Sequence, residues 1–126
     1  MKCCNICGTS YAETHHIMFR SEVKALEHCK LNLVDLCIDH HKGTYGVHGS
    51  KGAALNNKLK LEFQNKLESL FIKEYLTEEE ISEVLGISDK AVYRLLKTLK
   101  RYKEGYFRED VIRACLGGKL ILEEGL

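Results

Sequence analysis

At 126 residues the chain has room for one ordinary domain or two small ones, and its formal net charge of +1 decides nothing about nucleic acid. No apolar run is long enough to cross a membrane and no signal peptide is present; Met1-Lys2-Cys3-Cys4 leads straight into a candidate metal ligand, so a cytoplasmic address is expected. The six cysteines, Cys3, Cys4, Cys7, Cys29, Cys37 and Cys115, cluster near histidines, which in a reducing compartment argues for metal rather than disulfides.

Residues 1 to 50 are rich in Cys, His and Gly. Tyr11 to Met18 and Leu31 to Leu36 are expected to be short strands, with Ser21 to Cys29 a helical turn or ordered loop between them. Gly43, Gly46 and Gly49 allow only a short helix around His41. Residues 53 to 75 predict a helix, because Leu55, Leu59, Phe63, Leu67, Leu70 and Phe71 recur at three- and four-residue steps. Thr77-Glu78-Glu79-Glu80 is a capping box opening a helix through Ile81, Val84 and Leu85. Gly86-Ile87-Ser88 is a tight turn, and Ser88 can cap a second helix from Lys90 to Lys103 with Ala91, Val92, Leu95, Leu96 and Leu99 inside. Helix, Gly-containing turn and capped basic helix make the helix-turn-helix pattern. A third helix is expected from Tyr106 to Gly117, and a terminal strand from Lys119 to Leu122. The expected class is α+β, with a metal-stapled module at 1–76 and a helical unit at 77–126.

Charge is local. Lys90, Arg94, Lys97, Lys100, Arg101 and Lys103 contain no acid among them, while Glu78, Glu79, Glu80 and Glu83 cancel them in the total. Such a stripe suits a DNA-contacting helix, and a solvated lysine-rich face has the same pattern. The outward positions, Lys90, Tyr93, Arg94, Lys97 and Lys100, are the candidate DNA contacts.

Two pairs with two intervening residues, Cys4 with Cys7 and Cys37 with His40, offer the four tetrahedral ligands of a structural zinc. Cys3 and His41 adjoin chosen ligands and are their rivals; Cys29 and Cys115 have no partners and are expected to be simple thiols. A second constellation is His15, His16, Asn32, His41 and His48. Neighbouring residues on a strand face opposite ways, so one of His15 and His16 can face a metal and the other an attacking water. Asn32 can fix the base's ring, His41 can complete the metal site, and His48 is a further ligand or a phosphate contact.

Glu13-Thr14-His15-His16-Ile17, Asn32-Leu33-Val34-Asp35-Leu36-Cys37 and His40 through Gly49 together resemble the His-Asn-His (HNH) nucleases, most closely the small ones of bacteriophages and prophages. The resemblance spans roughly residues 3 to 64 and is specific because several motifs occur in order. It implies a ββα-metal fold, with His15 a ligand ending the first strand, His16 the general base, Asn32 its orienting residue and His41 a ligand on the helix. Cys4, Cys7, Cys37 and His40 match the zinc positions of the zinc-bearing branch, where many relatives carry Cys in place of His40. Tyr45 stands where some relatives carry a second helical ligand, and His48 is the candidate to replace it. Residues 77 to 117 also resemble excisionase-like helix-turn-helix domains, through Leu85-Gly86-Ile87-Ser88, Ala91 to Leu96 and Tyr106 to Val111.

The expected function is metal-dependent DNA cleavage with structural Zn²⁺ and catalytic Mg²⁺ or Mn²⁺. The alternative from another class is a zinc-stabilised DNA- or protein-binding regulator that does not cut, such as a phage inhibitor of a host nuclease.

Overall fold

Strand β1 (Glu13–His16) pairs antiparallel with β2 (Leu33–Leu36), with His15 opposite Val34 and His16 opposite Leu33. These belong to a computed structural model that describes residues 2–122. Among the described residues it is a small α+β fold with two small sheets and five helices. β1 is shorter than the eight residues expected. Tyr11 takes a left-handed backbone conformation, φ 66°, which a strand cannot contain, and the pairing ends at His16. The chain then makes short helical turns at Lys24–Leu26 and Lys30–Asn32 before β2.

Helix α1 (Ile38–Lys42) is brief, as the glycines required. The loop after it folds back, with Val47 N donating to the His40 carbonyl at 3.0 Å and His48 N to that of His41 at 2.8 Å. Gly49 makes this possible: a Cβ there would lie 1.8 Å from the Gly43 carbonyl oxygen.

Helix α2 (Ala53–Leu70) buries Leu59, Phe63, Gln64 and Leu67 along one face. Leu70, expected in the core, is exposed, and buried Phe71 ends the helix in extended backbone. Gln64 donates to the Ile121 carbonyl at 3.1 Å and accepts from its N–H at 2.6 Å. This side-chain bracket replaces the terminal strand expected at Lys119–Leu122, where no ladder forms.

Next come β3 (Tyr75–Leu76), α3 (Glu78–Leu85), α4 (Asp89–Leu96), β4 (Arg101–Tyr102), β5 (Gly105–Phe107) and α5 (Arg108–Cys115). The capping box forms as read: Glu80 N donates to Thr77 Oγ1 at 3.2 Å and Thr77 N to Glu80 Oε1 at 2.9 Å. Gly86 closes α3 at φ 64°, and Ser88 Oγ caps α4 by accepting from Ala91 N. The helix expected over Lys90–Lys103 stops at Leu96, because Arg101–Phe107 forms a hairpin that pairs with Tyr75–Leu76 in the order β3-β5-β4. Tyr75 packs on both Tyr102 and Phe107 there, so strand pairing of aromatics overrides helix propensity. The third helix starts later than expected for the same reason.

Buried residues form one continuous core from Met18, Leu26 and Cys29 through Phe63 and Leu67 to Ile81, Leu95 and Ile112. α4 packs on the Lys24–Leu26 turn and α5 on α2. Arg108 ties the ends together, donating to the Glu68 and Phe71 carbonyls. Tyr75 and Leu76, counted with the N-terminal unit from sequence, thus belong to the sheet of the C-terminal one.

Candidate metal centres

The first centre is built from a turn and a helix start. Gly8 N donates to the Cys4 carbonyl at 2.8 Å and Cys4 N to that of Thr9 at 2.8 Å, and Gly8 supplies the left-handed step at φ 76°. This tight hairpin aims Cys4 and Cys7 the same way, and Asn5 N anchors it to β2 through the Asp35 carbonyl at 2.7 Å. Cys37 precedes α1 and His40 sits in its first turn. The four side chains converge. Cys7 Sγ lies 3.8 Å from Cys37 Sγ, and His40 Nδ1 lies 3.6 Å from Cys4 Sγ and 3.2 Å from Cys37 Sγ. A tetrahedron with metal–sulfur bonds of ~2.3 Å has edges of roughly 3.8 Å, so the residues fit a zinc ion. Burial pushes the Cys4 thiol up, but the backbone N–H groups of Cys37, Cys7 and Ile6 outweigh it and hold the thiol at about 6. A lowered thiol favours the thiolate form that a metal ligand needs. Of the rivals, Cys3 is exposed and pairs its backbone with Ser10, while His41 turns to the second centre.

The second centre joins β1, α1 and the glycine loop. His15, His41 and His48 bring one nitrogen each within 4.8 Å of one another, with ring centroids 4.8 to 5.1 Å apart. Phe19 backs the cluster, 5.7 Å from the His15 ring and 5.2 Å from that of His48. His15 is 3 % exposed, and its Nε2 is buried with no hydrogen-bond partner among the described residues. Such an atom costs about 1–3 kcal/mol unless something binds it, and a metal ion is the simplest occupant among three imidazoles. Burial, then the nearby His41 and His48, hold the His15 imidazole down at about 4, so it is neutral and ligand-ready at pH 7. Burial lowers His48 as well, followed by His41 and Lys42.

His41 Nδ1 lies 3.0 Å from Glu13 Oε1. A carboxylate only accepts, so Nδ1 carries the proton and Nε2 keeps the free lone pair. That same contact, followed by Lys42, holds the Glu13 carboxyl below its usual range. Sequence reasoning missed Glu13, although it stands two positions before His15 and hence on the same side of β1.

His16 is not one of the three converging histidines. Its Nε2 meets the Glu27 carbonyl at 2.9 Å, so Nε2 is the donor and Nδ1 is left as a base. His15, His16, Arg20, His41 and His48 line one open depression of about 260 Å³.

Asn32 does not touch the His16 ring, which corrects the expected contact. It has no exposed surface; its Oδ1 accepts from Met18 N at 2.7 Å, and its Nδ2 donates to the carbonyls of Met18 at 3.1 Å and Leu26 at 3.3 Å. Asn32 therefore shapes the 17–32 loop, and that loop presents the Glu27 carbonyl. No spacing rule could have found Glu27, because any residue supplies a carbonyl.

On α4 and at its C-cap, Lys90, Tyr93, Arg94 and Lys97 are exposed, Tyr93 at 72 %. Lys100 lies beyond the helix end, its ammonium 4.7 Å from the Tyr102 ring, and so does not share that face by helical periodicity. Carboxylates flank the same surface: Glu78, Glu79 and Asp89 line a groove with Tyr93, Lys97 and Tyr106. Cys29 and Cys115 are buried core thiols. No helix among the described residues is long and apolar enough to cross a membrane. The chain matches no family model, no curated protein and no solved structure.

Proposed function

We propose that the chain is a metal-dependent DNA endonuclease of the His-Asn-His type, with β1, β2 and α1 as a ββα-metal module and α3–α4 as a helix-turn-helix. One observation carries the reading. Three imidazoles from separate elements converge, one of them with an orphaned buried nitrogen, while His16, next along the same strand, lines the same depression and is held by the Glu27 carbonyl with a free Nδ1.

His15, His41 and His48 would hold a divalent ion, and such an ion supplies positive charge to the scissile phosphate and to the leaving 3′ oxygen. Three nitrogen donors suit a transition-series ion, Mn²⁺ in preference to Mg²⁺. His16 Nδ1 takes the proton from the attacking water, and the Glu27 carbonyl stabilises the resulting imidazolium through Nε2–H. Glu13 fixes the tautomer and orientation of the His41 ring. Cys4, Cys7, Cys37 and His40 hold a zinc that keeps α1 in place. Phosphate contacts by Lys90, Arg94 and Lys97, with Tyr93 in the groove, supply DNA affinity.

The second reading, a zinc-stabilised regulator that does not cut, is favoured by the carboxylates of Glu78, Glu79 and Asp89 beside α4, which reduce its attraction for phosphate. Nicking of a supercoiled plasmid separates the two. Protein stripped of divalent ions at the weaker site should nick on addition of Mn²⁺. No nicking with Mn²⁺, Mg²⁺, Zn²⁺ or Ni²⁺, in protein that still binds the plasmid, would establish the regulator.

A further inference from the structure

The loop between β1 and β2 touches both halves of the molecule and carries charges at both ends. At one end Arg20 lines the depression that holds His16. At the other, Lys24 shares a cavity of about 340 Å³ with Arg94 of α4 and Arg113 of α5. Between them stands Glu27. Its carboxylate meets Arg20 at 3.5 Å and Lys24 at 3.4 Å, while its carbonyl meets the His16 ring. Arg20 and Lys24 are mostly exposed, 62 % and 60 %, against 24 % for Glu27. The cavity's acids are Glu22 and Asp110; Glu22 is engaged by Lys60 at 3.0 Å and Arg113 by Glu109 at 3.2 Å, which leaves Arg94, and Lys24 once Glu27 is displaced, as the cations that can meet phosphate.

We propose that Arg20, Lys24 and Arg94 form a phosphate-gripping track along which duplex DNA runs from α4 to His16, and that Glu27 is its counterweight in the free protein. This rests on the nuclease reading for its substrate. The adjacency is continuous: His16 and Arg20 share one depression, Arg20 and Lys24 share one carboxylate, and Lys24 and Arg94 share one cavity. The packing of α4 on the Lys24–Leu26 turn fixes the separation between the helix and the depression. Binding of backbone phosphates to Arg20 and Lys24 displaces the Glu27 carboxylate but leaves its main-chain carbonyl on His16. DNA thus loads the track without disturbing the base.

The test uses the full chain carrying His16→Ala, so that binding is read without cleavage, with labelled mixed-sequence duplex DNA titrated at several salt concentrations. Arg20→Ala with Lys24→Ala should weaken binding about tenfold and reduce the salt slope by roughly two phosphate contacts, about 0.9 each. Glu27→Gln should do the reverse and tighten binding severalfold, since it frees both cations while keeping the carbonyl. Lys66→Ala, on the exposed side of α2, is the charge control and should change the slope by less than either. Thermal melts of each variant separate lost contacts from lost folding. Weaker binding by Glu27→Gln at unchanged melting temperature, or an Arg20/Lys24 double variant indistinguishable from Lys66→Ala, overturns the track. Either result leaves the nuclease reading standing, because that reading fails only if metal-loaded wild-type protein does not cut.

Discussion

Asn32 spends every hydrogen-bonding group of its amide on backbone within the 17–32 loop, and it does so with no exposed surface. Truncation to alanine leaves the Met18 N–H and the Met18 carbonyl unpaired, each costing about 1–3 kcal/mol, while the Leu26 carbonyl keeps Cys29 N as a donor. Asn32→Ala should therefore lose about 2 kcal/mol or more in urea unfolding, with zinc content unchanged, because the Cys4 hairpin is anchored through Asp35 instead. A loss within the range of an ordinary surface substitution would mean that the loop is held by something else. His15, His41 and His48 could be read as a group because ligand chemistry restricts residue type, and Cys4, Cys7, Cys37 and His40 because it also restricts spacing. Asn32 was legible as a singular polar residue but not in its partner. The Glu27 carbonyl that meets His16 belongs to the main chain and leaves no trace in sequence.

At the scale of elements, α1 serves both centres at once. His40 faces the cysteines and His41, one position on, faces His15 and His48, since neighbours on a helix diverge by about 100°. Stripping zinc, or Cys37→Ser, should therefore weaken binding of a second divalent ion by at least tenfold as well as destabilise the chain, measured by calorimetric titration. Unchanged binding at the histidine site would mean that α1 keeps its place without zinc. The α3 start gives an independent prediction. The Lys73 ammonium, then the Thr77 backbone N–H, holds the Glu80 carboxyl below its usual range, and the Arg101 guanidinium does the same for Glu78. A depressed carboxyl stabilises the fold above its unfolded pKa, near ~4.3, and that contribution is lost as pH falls through the folded value. Glu78→Gln with Glu80→Gln should accordingly be less stable at pH 7 and lose less stability on acidification below about pH 5 than wild type. Parallel acid profiles would show that these pairs carry no stability. The capping box was legible because Ser, Thr and Glu at fixed offsets have a local cause. The β4–β5 hairpin was not, since Lys97 to Lys103 contains no helix breaker and only the distant Tyr75–Leu76 strand decides its fate.

The whole molecule shares one hydrophobic core, to which Leu26 and Phe63 contribute beside Leu95 and Ile112. Gln64 and Arg108 add polar ties across it. Unfolding in urea should thus be one transition, coincident by far-ultraviolet dichroism and tyrosine fluorescence. Two separated transitions would show that the N- and C-terminal halves fold independently. A shared core also gives function its geometry, because α4 is seated on the loop that carries Arg20 and the carbonyl partner of His16. The central claim is the division of labour on β1, and paired measurements on two variants test it most directly. Single-turnover plasmid nicking and calorimetric Mn²⁺ binding are compared for His16→Ala and His15→Ala. The account predicts that His16→Ala loses nicking by a factor of 10² or more with Mn²⁺ affinity within about twofold of wild type, while His15→Ala loses both. Loss of Mn²⁺ affinity in His16→Ala, with His15→Ala binding normally, would contradict it and exchange the roles of the two histidines.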